Sequence, residues 1–185
     1  YLRLIDIAVN SNETIEPRTN PEHNFKYIEL ADIDQNIGVI ENAKTIKGKN
    51  APSRARMLLR NGDVIASSVE GSLDKVALVS EEYDGAIGST GFFVLRPRTV
   101  SSGYLLALIK SMIVREQMHC ESSGTILAAV PAKSLKNIIV PNIQQEIQDA
   151  ISSLVQQSLA AKREAKTLLE KAKRAVEIAI EYGEQ

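Results

Sequence analysis

The side chains with chemical reach are few and poorly grouped. Two histidines, His23 and His119, and one cysteine, Cys120, are the whole supply of imidazole and thiol in 185 residues. His119 and Cys120 are adjacent, but neighbouring residues point in different directions, and a zinc site needs three or four ligands at workable spacing. Nothing near them in the sequence completes such a set, so neither a metal nor another cofactor is expected. A nucleophilic Cys120 would need a base held by a third group, and the sequence offers none. "EGS" (70–72) and "GSTG" (88–91) have the composition of phosphate loops without the G-x-x-x-x-G-K-[ST] or G-x-G-x-x-G pattern. The acids are scattered, with no pair on one helical face. These residues give no support to an enzyme.

Charge offers a second kind of chemistry. A net charge of −1 is a poor sign of nucleic-acid binding, but distribution matters more than the sum. Residues 1–141 hold 16 Lys+Arg and 16 Asp+Glu; the tail holds 6 and 7. Within the first part, Lys44, Lys47, Lys49, Arg54, Arg56 and Arg60 follow one another with no acid between them. Such a stretch is either a solvated face or a surface that tracks phosphates. Alone it does not decide.

The elements that would position these groups are read from pattern. At 185 residues the chain can hold one ordinary domain and an appendage. There is no tryptophan and aromatics make up 4 %, so the core is expected to be aliphatic. Strand-like runs appear at "FKYIEL" (25–30), "IGVIE" (37–41), "DVIASSV" (63–69), "KVALVS" (75–80), "AIGS" (86–89), "GFFVLRP" (91–97), "ILAAV" (126–130) and "NIIV" (137–140), separated by Gly, Ser and Asp turns. Ser53 is expected to cap a short helix over "RARMLLR", stopped at Asn61-Gly62. Ser101 or Ser102 opens an amphipathic helix with Leu105, Leu106, Leu108, Ile109, Met112 and Ile113 on its apolar side. The pattern predicts an α+β body with a curved, mostly antiparallel sheet. Apolar runs such as "LLALI" are too short to cross a bilayer, so no membrane association is expected. No charged-then-apolar leader opens the chain, and its single cysteine fits a reducing compartment, so a cytoplasmic location is expected. The first residue, Tyr1, suggests a fragment or a processed chain.

"KNIIVPNIQQEI" (136–147) joins this body to something different. Its β-branched start favours a strand, Pro141 stops it, and Asn142 with Gln145 reads as a capping box that opens a helix. No proline follows, and no glycine before Gly183. Steps of four and three from Ile147 visit Ile151, Leu154, Ser158, Ala161, Ala165, Leu168, Ala172, Ala175 and Ala179, a heptad seam with Ser158 as its only polar member. Val155, Leu169, Val176 and Ile180 widen the stripe. About 40 residues at 1.5 Å each make a rod of about 60 Å, longer than the body, so its outer half is expected to project and to need a partner. Small residues along the seam imply a close helix approach. The expected division is 1–141 for the body and 142–185 for the helix.

Several stretches together resemble the DNA specificity subunit of type I restriction–modification systems. They are "YIELADID" (27–34), "PSRARMLLRNGDVIASSVEGSLDKVALV" (52–79), "AIGSTGFFVLRP" (86–97), "SSGT" (122–125) and "LKNIIVPNIQQEIQDAI" (135–151), followed by "AKREAKTLLEKAKRAVEIAIE". Their order along the chain carries the resemblance, because none is distinctive alone. It implies a target recognition domain that reads one half of a split DNA sequence, then a long helix that acts as spacer and docking rod. A full subunit carries two such units, so this chain resembles half of one. The same modules serve some type II systems.

The resemblance implies a non-catalytic partner of double-stranded DNA, of a DNA adenine methylase subunit and of a restriction/translocase subunit. Pairing with a second recognition half, or with a copy of itself, would run through Ile147, Ile151, Leu154, Ala161, Ala165, Leu168, Ala172, Ala175 and Ala179. Lys44, Lys47, Lys49, Arg54 and Arg56 would contact phosphates. Ser67, Ser68, Ser72, Lys75, Ser89, Thr90, Ser122, Ser123 and Thr125 sit in the loops that would read bases. The competing expectation is a coiled-coil protein–protein adaptor without DNA specificity; a third is an enzyme with an unrecognised site.

Overall fold

The apolar runs set the layering. The computed structural model describes residues 1–124 and 128–183. The chain opens with β1 (Leu2–Arg3), a single turn α1 (Leu4–Ile7) and β2 (Ala8–Asn10). Next come β3 (Asn24–Ile28), β4 (Ile33–Asp34), β5 (Val39–Ile40), β6 (Lys44–Lys47), β7 (Ala55–Leu58), β8 (Val64–Ser67), β9 (Val76–Leu78), β10 (Ile87–Ser89) and β11 (Phe92–Pro97). Helices α2 (Ser102–Lys110) and α3 (Met112–Glu121) follow, then β12 (Ile139–Val140) and the long α4 (Gln145–Tyr182). Among the described residues the strands form two four-stranded sheets, β2-β11-β8-β9 and β6-β3-β10-β7, and two short pairs, β1-β12 and β4-β5. All pairings are antiparallel except β3 with β10. The α+β expectation holds.

The first sheet is buried on both faces, which is why "VIA" and "FFVL" read as continuous apolar runs rather than alternating ones. Val64, Ala66, Phe93 and Leu95 face α2, packing with Leu105, Leu106 and Ile109. Ile65, Phe92 and Val94 face the other way, onto Ile28, Leu59, Val79 and Tyr83. Phe25, Tyr27, Ala55 and Ile87 form a third, smaller cluster on the second sheet.

Three local expectations are corrected. "RARMLLR" is not a helix: Ala55–Leu58 is strand β7, paired with β10 so that Leu58 faces Ile87 and Met57 faces Gly88. Seven residues are too few for a helix to hold without packing, and burial of Ala55 and Leu59 favours the extended form. Asn61-Gly62 is the turn after it, with Gly62 at φ +87°. The helix opened by Ser101 stops at Lys110, because Ser111 ends α2 and caps α3 through Val114 N–H; Met112 and Ile113 are exposed. Asn142 does not cap α4, which starts at Gln145 after a Gln144 that makes no side-chain cap bond. "ILAAV" lies partly outside the described residues; its Ala129 bridges both Val69 and Ser123 without a named strand. The first ten residues supply two strands and a turn that sequence pattern did not suggest.

Helix α4 has 38 residues, about 57 Å of length. Its inner half lies on α2, where Ile151 and Val155 join the core, and Leu159 one turn further on is also buried. From Arg163 to Tyr182 every residue is exposed. No helix among the described residues is long and apolar enough to cross a membrane.

Candidate nucleic-acid interface

Backbone hydrogen bonds stitch the predicted reading loops into one edge. Thr90 N–H donates to the Arg54 carbonyl at 2.8 Å, and Ser68 N–H and Oγ donate to the Gly91 carbonyl at 2.8 and 3.0 Å. Val130 N–H donates to Ser68 O at 2.8 Å and Glu70 N–H to Ala128 O at 2.9 Å. Ser123 and Ala129 exchange both of their backbone bonds at 3.0 Å. Four loops far apart in sequence, around 54, 68–72, 90 and 122–124, therefore lie side by side. Glu70 also meets His119 of α3, at 3.2 Å, tying the loop to the helix behind it.

Along this edge the hydroxyls are not equivalent. Thr90 and Ser123 are exposed. Ser67 and Ser89 are buried, and their oxygens accept from Val69 and Gly91 N–H inside their own turns. Ser72 Oγ bonds Ser67 Oγ at 2.9 Å and the Val69 carbonyl. Ser122 Oγ donates to the His119 carbonyl. Lys75 turns away to donate to the Ile33 carbonyl at 3.0 Å. In this conformation Ser67, Ser72 and Ser89 shape the loops, Ser68 and Ser122 give their hydroxyl protons to backbone carbonyls, and Thr90 and Ser123 are exposed on the edge. Thr125 lies outside the described residues.

Each cation of the stretch lies beside an acid that the linear order hides, six cations on four carboxylates. Lys44 and Arg54 share Glu29, at 2.7 and 3.0 Å. Lys47 and Lys49 share Glu22, at 2.8 and 2.7 Å. Arg56 pairs with Glu16, and Arg60 lies 3.6 Å from Glu13. Two pairings explain this: β3 runs antiparallel to β6, with Asn24 opposite Lys47 and Tyr27 opposite Lys44, which brings Glu22 and Glu29 to the lysines, while residues 13–15 lie antiparallel along β7, with Thr14 bridging Met57, which brings Glu13 and Glu16 to Arg60 and Arg56. Hydrogen bonds from Lys47 and Lys49 hold Glu22 below the usual carboxylate range, and Lys44 does the same for Glu29. Counting charges along the chain could not have found Glu13, Glu16, Glu22 and Glu29, because backbone pairing between distant segments sets these contacts.

The rod carries its own candidate surface. Leu154 and Leu168 are 64 % and 56 % exposed, and Ala161, Ala165, Ala172, Ala175 and Ala179 are exposed with them. Ile147 is exposed; Ile151 is half-buried because it also touches the body core. The face that meets the body runs through Gln148, Ile151, Val155, Leu159 and Lys162. The heptad seam lies beside it. Among the described residues no three His, Cys, Asp or Glu side chains converge on a metal-sized site.

The architecture is a two-sheet α+β head on a protruding helical rod. No protein-family model matches the sequence, and no curated protein matches it. Solved structures do. The HsdS subunit from Thermoanaerobacter tengcongensis is 32 % identical, with a TM-score of 0.76 over 96 % of this chain and 46 % of that one. A structure describing complex assembly and conformational transition of a type I restriction–modification system gives 32 %, 0.75 and the same coverage. The type I S subunit from M. genitalium shares the fold at 14 % identity, with a TM-score of 0.61 over 93 % of this chain and 42 % of that one. The fold is that of a type I restriction–modification specificity subunit. The chain spans less than half the length of the solved subunits it matches, and corresponds to one half of such a subunit.

Proposed function

We propose that this chain is the sequence-reading half of a type I or related restriction–modification complex: residues 1–141 recognise one part of a bipartite DNA site, and residues 142–185 form the spacer that joins two such heads. The observation that carries this reading is the stitched edge of four loops on a head whose exposed rod bears an unpartnered heptad seam. Exposed side chains on that edge would read base edges, and Lys44, Lys47, Lys49, Arg54 and Arg56 would exchange their carboxylate partners for phosphates. The rod would pair with a second half or a copy of this chain, and the pair would dock a DNA adenine methylase subunit and a restriction/translocase subunit. In this reading the chain performs no bond chemistry; the methylase flips and methylates the adenine.

The test is co-expression with the adenine methylase subunit in a host lacking adenine methylation, followed by genome-wide mapping of methylated adenines. A bipartite motif with a fixed spacer is the expected result. No methylation above background, with the complex assembled, would overturn the reading. A protein–protein adaptor would assemble and leave the DNA unmarked.

A further inference from the structure

The rod leaves the head at a defined point. Lys162 is the last half-buried residue of α4. Its ammonium lies 3.1 Å from Asp34 Oδ2 and 3.0 Å from Glu41 Oε1, on the two limbs of the β4–β5 hairpin. Asp34 is itself immobilised: Asn36 N–H donates to its other oxygen at 2.9 Å, and its side chain is 12 % exposed. One turn earlier Leu159 is buried against the head. Ten residues before Lys162, the second fixed point is Ser152 on Gly103 of α2. A Cβ at Gly103 would stand 2.7 Å from Ser152 Oγ and 3.2 Å from its Cα, so only glycine permits this approach.

We propose that the Lys162 clamp, together with the Gly103–Ser152 contact, sets the angle between head and rod and thereby the number of base pairs allowed between two half-sites. The inference rests on the two-headed reading above. Two contacts ten residues apart fix a line about 15 Å long. Beyond Lys162 about 20 residues continue as a lever of roughly 30 Å. A tilt of about 10° at the clamp moves the far end by about 5 Å, more than the 3.4 Å rise of one base pair. With the outer half packed on a partner helix, the same tilt moves the head along the DNA instead. A half-exposed ion pair adds little to stability. Its consequence is angular. Lys162 is therefore a positioning residue, distinct from any group that touches DNA.

The experiment is the same methylome map made with Lys162→Met, which keeps the stem and removes the charge, beside Lys162→Arg and the unaltered chain. The unaltered chain and Lys162→Arg should mark one spacer length. Lys162→Met should recognise the same two half-sites while spreading to spacers one base pair longer and shorter. An unchanged spacer distribution with merely fewer marked sites would overturn the inference and leave the specificity reading intact. Loss of all marking by Lys162→Met, with Lys162→Arg active, would also overturn it, since the contact would then serve assembly rather than angle. A failure of the unaltered chain to mark any bipartite motif would instead remove the reading on which the inference stands. Circular dichroism melts of the three chains separate misfolding from each outcome.

Discussion

The Oε1 oxygen of Glu29 lies 2.7 Å from the ammonium of Lys44, across the β3–β6 register, and its Oε2 holds Arg54 at 3.0 Å. Glu22 grips Lys47 and Lys49 in the same way. A surface that is basic in sequence is thus partly neutralised by the fold. If these cations meet phosphates, the carboxylates compete with DNA. Glu22→Gln and Glu29→Gln should then tighten nonspecific duplex binding by the assembled complex. Lys47→Ala or Arg54→Ala should weaken it, flattening the slope of log K against log salt by about one unit. Identical slopes for all four variants would place DNA elsewhere.

The clamp at Lys162 should be insensitive to pH near neutrality. Burial alone would raise the Asp34 pKa, but the Asn36 N–H and Lys162 together bring it below the usual carboxylate range. Glu41 and Asp34 raise that of Lys162. The Asp34 contribution is therefore present above about pH 4 and lost only as pH falls through its lowered folded value. The Lys162 contribution is present below about pH 10 and lost as pH rises through its raised folded value. The difference in Tm between wild type and Lys162→Met should be constant from about pH 5 to pH 9 and shrink under stronger acid. A gap that closes between pH 6 and 8 would assign the contact to a different titrating group.

Asp63 is the more deeply buried of the two buried acids among the described residues. Its side chain is 1 % exposed and depends on Arg96, whose Nε and Nη2 donate to it at 2.9 and 3.2 Å, and on the Arg60 N–H at 3.0 Å. Arg96 also reaches Glu13 at 2.7 Å, joining the segment after β2 to β11. Arg96→Met leaves a buried carboxylate without its counter-charge, which should cost about 3 kcal/mol in urea unfolding. Adding Asp63→Asn to that variant should recover part of the loss. A loss under about 1 kcal/mol would show that water reaches Asp63.

The loop edge predicts a separation of effects. Phosphate contacts weaken all sequences alike, whereas base-reading groups alter preference among them. Thr90→Ala and Ser123→Ala should change which adenines are marked, or how strictly, while Ser67→Ala should act through stability, because its buried hydroxyl holds the 67–72 turn. Replacing "SSGT" and its flanks by those of a relative should move the methylated site without loss of assembly. Unchanged motifs after that exchange would remove the loop from the reading surface.

What was legible in the sequence follows from range. The runs ending in Ser67 and Pro97 were readable because a strand buried on both faces must be continuously apolar. The rod was readable because a heptad is local. "RARMLLR" reads as a helix because Arg, Met and Leu favour helices in isolation, and the partner that makes Ala55–Leu58 a strand lies some thirty residues away in β10. The four neutralising acids escaped for the same reason. In the loops, sequence could nominate serines but not say which hydroxyls a turn had already taken. Ser89 and Thr90 are neighbours in the chain; one is buried and the other exposed.

The seam makes the last prediction. Leu154, Ala161, Ala165, Leu168 and Ala172 lie on the outer side of α4, next to the face that Val155 and Leu159 press onto the head. Their exposure leaves an apolar stripe that water does not favour, and the alanines allow a neighbouring backbone to come close. A charge placed there would be desolvated without a partner, and a longer side chain would overpack the contact. Ala165→Glu and Leu168→Lys should therefore abolish pairing with a second half or a second copy, and release the methylase subunit with it. Neither residue touches the body core, so the head should melt as before. Light scattering at matched concentrations, beside circular dichroism, reads both quantities. A wild-type chain that stays monomeric at high concentration, with or without the methylase subunit, would sink the pairing. Variants that pair as well as wild type would move the contact to another face of the rod, and a head that melts earlier with them would mean that the outer helix folds back on its own domain.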